Sequence, residues 1–404
     1  MESNRNYLCT ERAHLMCPNM HFGILAQIES DYDFQKVRQS VGAIRAAHPF
    51  LRSVIAQEEA SGRLYYQAQE HLGIFVEERP DRDLWQQDYD EISRLGWDVR
   101  KECLLKVLVY QRDKGFSVLF IAHHLLCDGR GLLQLAEEFA QHYVKGITPT
   151  FVEERLIQSL EDLPANSDLP FISKVIVNSA NKNWKKEQHK VTYEEYSEFE
   201  KHYIRENRTI REIATVDRMQ LKAIHALCKQ HHVSVNDYLI AKMMLEDNTN
   251  KVIIAADIRS QVGCYRQGAM GNYATAFSVV VKKQEQDIIS LAQRVASRVA
   301  DIRSNPRKEM LVLACYLRMQ PELIDAVAIS TLGGFESEAG AFVGKNMFGY
   351  ASRGGYSITN LGRMESDVIA QAVFIPPASP ANQKTLGVLT VNGMMKLCSA
   401  TSPD

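Results

Sequence analysis

The sequence predicts a mixed α/β protein built as two halves of similar size, on three observations. Its 404 residues exceed what one hydrophobic core usually serves. Strand-like and helix-like stretches alternate along both halves without strict β-α-β regularity, so mixed sheets covered by helices are expected rather than one doubly wound parallel sheet. From about residue 150 to 190 the apolar periodicity fades into "DLPANSDLP" and the charged "NKNWKKEQHK", which read as a solvated connection. Residues 1–165 are therefore assigned to a first unit, 166–195 to a connecting segment and 196–404 to a second unit.

The elements follow in order. "FGILAQIE" (22–29) reads as a strand, and Asp33 is the expected N-cap of a helix on which Phe34, Val37, Val41 and Ile44 share a face. Pro49 ends it. "CLLKVLVYQ" and "FSVLFIAHH" flank the turn "RDKG" and read as an antiparallel hairpin. Past Gly131, Leu132, Leu135, Ala136, Phe139 and Tyr143 line one face of an amphipathic helix, which leaves residues 123–130 as a strand-to-helix loop. In the second half "DRMQLKAIHALCKQHH" reads as a helix and "SVND" as a capping box opening another. "KVIIAAD" and "NYATAFSVVVKK" are expected strands, "DIISLAQRVASRVADI" a helix, and "YSITNL", "VIAQAVFI" and "LGVLTVNGMMKL" late strands.

Composition narrows the function. Lys and Arg number 47 against 49 Asp and Glu, so a net charge of -2 gives no general attraction to nucleic acid or to an anionic membrane. The opening "MESNRNYLCTER" lacks the basic-then-apolar order of a signal peptide, and no uninterrupted apolar stretch is long enough to span a bilayer, so a cytoplasmic protein without a transmembrane segment is expected. Eight cysteines without a C-x-x-C pair fit buried reduced thiols better than disulfides or zinc ligands.

"IAHHLLCDGRGL" (121–132) carries the chemistry. A dinucleotide fingerprint is disfavoured because Gln134 stands where the third glycine belongs. A metal site is disfavoured because His123 and His124, adjacent on extended chain, point to opposite faces. "GYSIT" ends in Thr359 where a serine-hydrolase elbow wants glycine, and in "LGGFESE" Ser337 falls one residue late for a phosphopantetheine attachment site.

"HHLLCDG" (123–129) fits an H-H-x-x-x-D-G signature and thereby resembles the acyltransferase superfamily of chloramphenicol acetyltransferase, plant acyltransferases of the BAHD group, nonribosomal condensation domains, and polyketide-associated and alcohol acyltransferases. "RAAHPFLRSVI", "SVNDYLIAKMM", "ADIRSQVG" followed by "GNYATAFSV", and "SITNLGRM" resemble further segments of that family, in order, over nearly the whole chain. Thr359 replaces the serine many relatives carry before Asn360, and the plant D-F-G-W-G motif is absent, which points away from the plant subgroup.

The resemblance implies two chloramphenicol-acetyltransferase-like units in a V around a central tunnel. It also implies an enzyme that moves an acyl group from a thioester, acyl-CoA or a phosphopantetheine arm, to a hydroxyl or amine. No permanently bound cofactor and no metal are expected; a carrier protein, if used, is supplied in trans. His124 is the expected general base, since an imidazole with a pKa near 6.5 accepts the acceptor's proton and returns it to the departing thiolate. Asp128 is expected to brace the loop through an arginine, with Arg259 the candidate. His123 is expected to face the packing and Gly129 to let the chain turn. Asn272, Ser357, Thr359 and Asn360 are candidate donors to the carbonyl oxygen of the substrate. Two alternatives stay open: a free-standing condensation-like protein that forms amides between carrier-tethered substrates, and an inactive homologue that binds a ligand.

Overall fold

A computed structural model describes residues 5–282 and 287–402. In the first half, the strands are β1 (His21–Ile28), β2 (Ser53–Gln57), β3 (Leu64–Ala68), β4 (Phe75–Arg79), β5 (Leu105–Gln111) and β6 (Phe116–His123). In the second they are β7 (Ile210–Val216), β8 (Lys251–Asp257), β9 (Ala274–Val280), β10 (Gly355–Met364), β11 (Gln371–Ile375), β12 (Asn382–Val391) and β13 (Met394–Thr401). They form a five-stranded sheet in the order β11-β1-β6-β5-β4, a six-stranded sheet in the order β7-β13-β12-β10-β8-β9, and a separate β2-β3 ribbon. Both large sheets are mixed, as the sequence predicts: β4 runs parallel to β5, and β10 parallel to both β8 and β12, among antiparallel neighbours.

Local chemistry sets the elements that carry the site. The Asp33 carboxylate accepts from the amides of Gln35 and Lys36 and starts the helix Phe34–Ala47, whose Val37, Val41 and Ile44 are buried. The β5-β6 hairpin pairs Leu105 with Ala122 through to Gln111 with Phe116. Every residue of β6 is buried, so this strand lies in the core rather than at its edge. Gly115, at the turn, has φ +79°, and a Cβ there would lie 2.0 Å from the Ile28 carbonyl oxygen. Gly115→Ala should therefore destabilise the protein by about 2 kcal/mol or more, through strain at positive φ and a backbone clash. Denaturant unfolding with an unchanged midpoint would contradict this.

Two features run across the division of the chain at 165 and 195. The connecting segment is not a bare linker: Phe171–Trp184 is a helix whose Val177, Ala180 and Trp184 are buried, and it packs against the helix Glu338–Val343. "VIAQAVFI", read with the second unit, supplies β11, which pairs antiparallel with β1 in the first sheet from Gly23–Ile375 to Gln27–Gln371. The main hydrophobic core accordingly mixes residues of both halves, Phe22, Phe120 and Leu125 with Leu361, Phe374 and Leu389. A second core, around Ile240, Val252, Phe277, Leu291 and Ile358, belongs to the second half. No helix among the described residues is long and apolar enough to cross a membrane.

Candidate active site

Strand β6 ends at His123, and the loop that follows lies where the halves meet. His123 is buried on the face expected of it: its Nδ1 accepts from the Leu125 amide at 3.2 Å and its ring meets Trp97 edge-on at 6.0 Å. Burial first, then the neighbouring His124 and Lys106, lowers its pKa to about 3, so the ring is neutral.

His124 faces the junction. Its amide donates to the Met20 carbonyl at 2.8 Å, which ties the loop to the residue before β1. Its side chain is bracketed by Asn272, which opens the segment leading into β9. The Asn272 Nδ2 donates to the His124 carbonyl at 2.9 Å, and the Asn272 Oδ1 lies 3.0 Å from His124 Nδ1. Because a carbonyl only accepts, the first bond fixes which way the carboxamide points. Its oxygen then requires a proton on Nδ1, and the lone pair of the neutral ring falls on Nε2. Nε2 has no partner in the chain among the described residues. Burial lowers the His124 pKa from 6.5, and the Asp128 charge and the Asn272 hydrogen bond recover part of that shift.

One residue at this site went unread in the sequence. His14, from the short helix Arg12–Leu15, stacks on His124 with ring centroids 4.1 Å apart and planes within 13°. Its helix is anchored by Arg12, whose Nε donates to the Asp325 carboxylate at 3.0 Å in a buried pair. Burial, then the two histidines beside it, holds the His14 pKa well below 6.5. Four residues of helix offer no periodicity from which to read it, and "TERAHLM" carries no motif.

Asp128 does not touch the imidazole; it joins the halves. It caps the helix Gly129–Lys145, with Oδ1 accepting from the Gly131 amide at 3.0 Å and from Arg259 Nη2 at 2.8 Å. Oδ2 accepts from the Tyr273 amide at 2.9 Å. Burial alone would push this carboxyl up; Arg259 and the amides outweigh it and hold the pKa below 3.8. Arg259 is also bound to Asp257 at 3.1 Å. Gly129 needs a correction: it is the first helical residue and is not at positive φ, so it does not make a turn. It makes room, since a Cβ there would sit 2.7 Å from Leu361 of β10.

The four candidate donors separate. Asn272 is committed to His124 through both ends of its carboxamide. Ser357 is buried in β10 and bonded to Thr385 at 3.0 Å and Asn382 at 2.9 Å, so its hydroxyl is already committed within the sheet. Asn360 bonds Asn236 at 3.2 Å and the Gly362 amide at 2.8 Å, so it links β10 to the helix that Ser234 and Asp237 cap. These three are braces. Thr359 is half-buried, has no side-chain hydrogen bond among the described residues, and lies in β10 two residues before Leu361, the neighbour of Gly129. The other sequence segments also converge here: His48 of "HPFLR" lies 2.6 Å from Glu138 of the helix that follows Asp128. Among the described residues no group of three or more His, Cys, Asp or Glu is placed to hold a metal ion.

The geometry joins two mixed-sheet halves, with a histidine at their junction and an aspartate stitching them together. Residues 20–162, which include "HHLLCDG", match the family model of the condensation domain. Solved structures of the same fold align over nearly the whole chain. The polyketide synthase associated protein 5 from Mycobacterium tuberculosis does so with TM-score 0.61 and 14% identity, over 99% of this chain and 93% of that one. The epimerization domain of the third module of tyrocidine synthetase B aligns with TM-score 0.56 and 16% identity, over 98% and 88%. VibH, an NRPS condensation enzyme, aligns with TM-score 0.53 and 12% identity, over 97% and 87%. No curated protein sequence matches the chain. The family resemblance carried by the motif and the two-unit mixed fold both stand in these findings.

Proposed function

We propose that this protein is an acyltransferase that moves an acyl group from a thioester to a hydroxyl or amine, with His124 as general base. The observation that carries the reading is the free Nε2 of His124, whose orientation and tautomer Asn272 sets from the opposite half. The acceptor loses its proton to Nε2 as its oxygen or nitrogen attacks the thioester carbonyl. The tetrahedral intermediate then collapses, the carbon–sulfur bond breaks, and the imidazolium returns the proton to the thiolate. Thr359, with an uncommitted hydroxyl on the strand facing the loop, is the donor we assign to the carbonyl oxygen. Donor and acceptor enter the junction from its two sides. The thioester arrives as acyl-CoA or on a phosphopantetheine arm; the condensation-domain match favours weighing a carrier-borne donor and an amine acceptor alongside the alcohol reading.

The test is release of free thiol from a panel of acyl-CoA and carrier-bound thioesters, with and without alcohols and amines. Release that depends on acceptor and on His124 is expected; release indifferent to both would sink the proposal. The acid limb supplies a second test. The reaction needs neutral imidazole, and burial lowers the His124 pKa, so the base form persists to lower pH than in a free histidine. The acid limb of kcat/KM should therefore titrate below pH 6.5, and a limb centred at or above pH 6.5 would contradict the assignment.

A further inference from the structure

At the junction of the halves, on the side of β6 away from His124, lies a small cleft with about 30 Å³ open to the centres of small polar atoms. Asn19, His21, Asp90, Arg94, Arg208 and Arg211 line it. The sequence motifs do not include these residues, and acyl transfer as derived above does not use them.

Their chemistry is that of a site for a doubly charged anion. Three guanidinium groups face one carboxylate, an excess of two positive charges in a small volume. Arg211 is the buried one: its side chain is 7% exposed, it is paired with Asp90, its guanidinium lies 4.6 Å from the centre of the Tyr89 ring, and its enclosed Nε has no partner. Arg94 and Arg208 are exposed and make no ion pair among the described residues. Two buried polar side chains stand behind them. Asn19 and His21 are 8% and 6% exposed, and neither side chain has a hydrogen bond within the chain among the described residues. Their polar atoms are not sealed off from solvent, so they open onto the cleft with hydrogen-bonding capacity that no other side chain uses. Burial, then Arg211, lowers the His21 pKa to about 3, so this ring is neutral and offers one N–H without adding charge. Asn19 sits at φ 61°, a conformation that asparagine tolerates better than most residues.

We propose that this cleft binds a phosphate dianion, free or as a phosphate monoester. Guanidinium forks with a carboxamide and an imidazole N–H surround a tetrahedral oxyanion with donors from several directions, and two net charges match its own. The cleft is bound to the candidate active site through the chain: Met20, between Asn19 and His21, holds the His124 amide, and His21 pairs with His123 across β1 and β6. A phosphate here can thus be free or carried by a reactant.

Isothermal titration of the full chain with inorganic phosphate, in chloride buffer of low ionic strength, tests the proposal without turnover. Saturable binding is expected, not displaced by acetate, and weakened about tenfold or more in Arg94→Gln/Arg208→Gln, whose altered residues are exposed and leave the fold alone. Arg211→Gln should lose more, and its melting curve reports whether it folds. His124→Ala should bind phosphate as the wild type does, so failure of the acyl-transfer reading leaves this result intact. Absence of saturation, or equal affinity in the wild type and the double variant, would overturn the site. Coenzyme A against dephospho-coenzyme A separates the two sources. A preference for coenzyme A that disappears in the double variant supports a reactant-borne monoester, whereas phosphate binding without that preference supports the free anion.

Discussion

His124→Ala should reduce turnover by about a hundredfold or more and leave the melting temperature within a few degrees of the wild type. The rate falls because an alcohol or amine then attacks with its proton in place, and no other side chain in the described structure offers a free imidazole lone pair in that orientation. His14 is the nearest substitute, yet its ring lies flat against His124 and cannot occupy the same position. The fold survives because His124 contributes one side-chain hydrogen bond and is only partly enclosed, while its backbone bond to Met20 does not depend on the side chain. Single-turnover thiol release with circular dichroism on the same sample distinguishes the outcomes. Activity near the wild-type level in a folded mutant would remove His124 from the mechanism.

Asp128→Asn should act mainly on stability. The carboxylate receives Arg259 and the amides of Gly131 and Tyr273 in a buried setting, and the amide replacement keeps the shape but removes the charge. Breaking a buried pair by neutralising one partner costs about 3 to 5 kcal/mol. The remaining contact of Arg259 with Asp257 places this case toward the low end. The linkage sign agrees: the folded pKa is below 3.8, so the stabilisation is fully present above that value and is lost as pH falls through the folded pKa. The rate should fall as well, since Tyr273 follows Asn272 and a loosened Tyr273 amide lets Asn272, and with it the imidazole, drift. A mutant that loses rate with an unchanged melting temperature would refute the bracing role and place Asp128 in the chemistry.

How far the site was legible depended on where its signal lay. His124, Asp128 and Arg259 sit in segments whose residue order is itself a pattern, and the structure brings Arg259 to 2.8 Å from Asp128 across 131 residues of chain. His123 was readable from strand alternation alone. Asn272 was singled out as a donor, but its use in holding His124 depends on a contact 148 residues away that no local spacing encodes. At Gly129 the sequence suggests a turn where the structure requires space, because room for Leu361 is a tertiary demand and a turn is a local one. The helices Trp85–Leu95 and Tyr193–Glu206 went unread, whereas the helices Phe34–Ala47, Gly129–Lys145 and Ile288–Arg303 and the buried hairpin were plain. The edge strand β7, with most of its residues exposed, and the helix Phe171–Trp184, hidden between a proline-rich stretch and a charged one, were not.

The return of β11 to the first sheet bears on how the chain is made. While the polypeptide emerges from the ribosome, β1 to β6 are complete by residue 123, but the strand that closes the outer edge of β1 ends at residue 375. For the synthesis of some 250 intervening residues the nascent first half carries an unpaired edge rich in Phe, Ile and Leu, the kind of edge that invites pairing with another chain. Assembly of the first half therefore waits until residue 375 has been made, and a chaperone that shields β1 in the interval should raise the yield of folded protein.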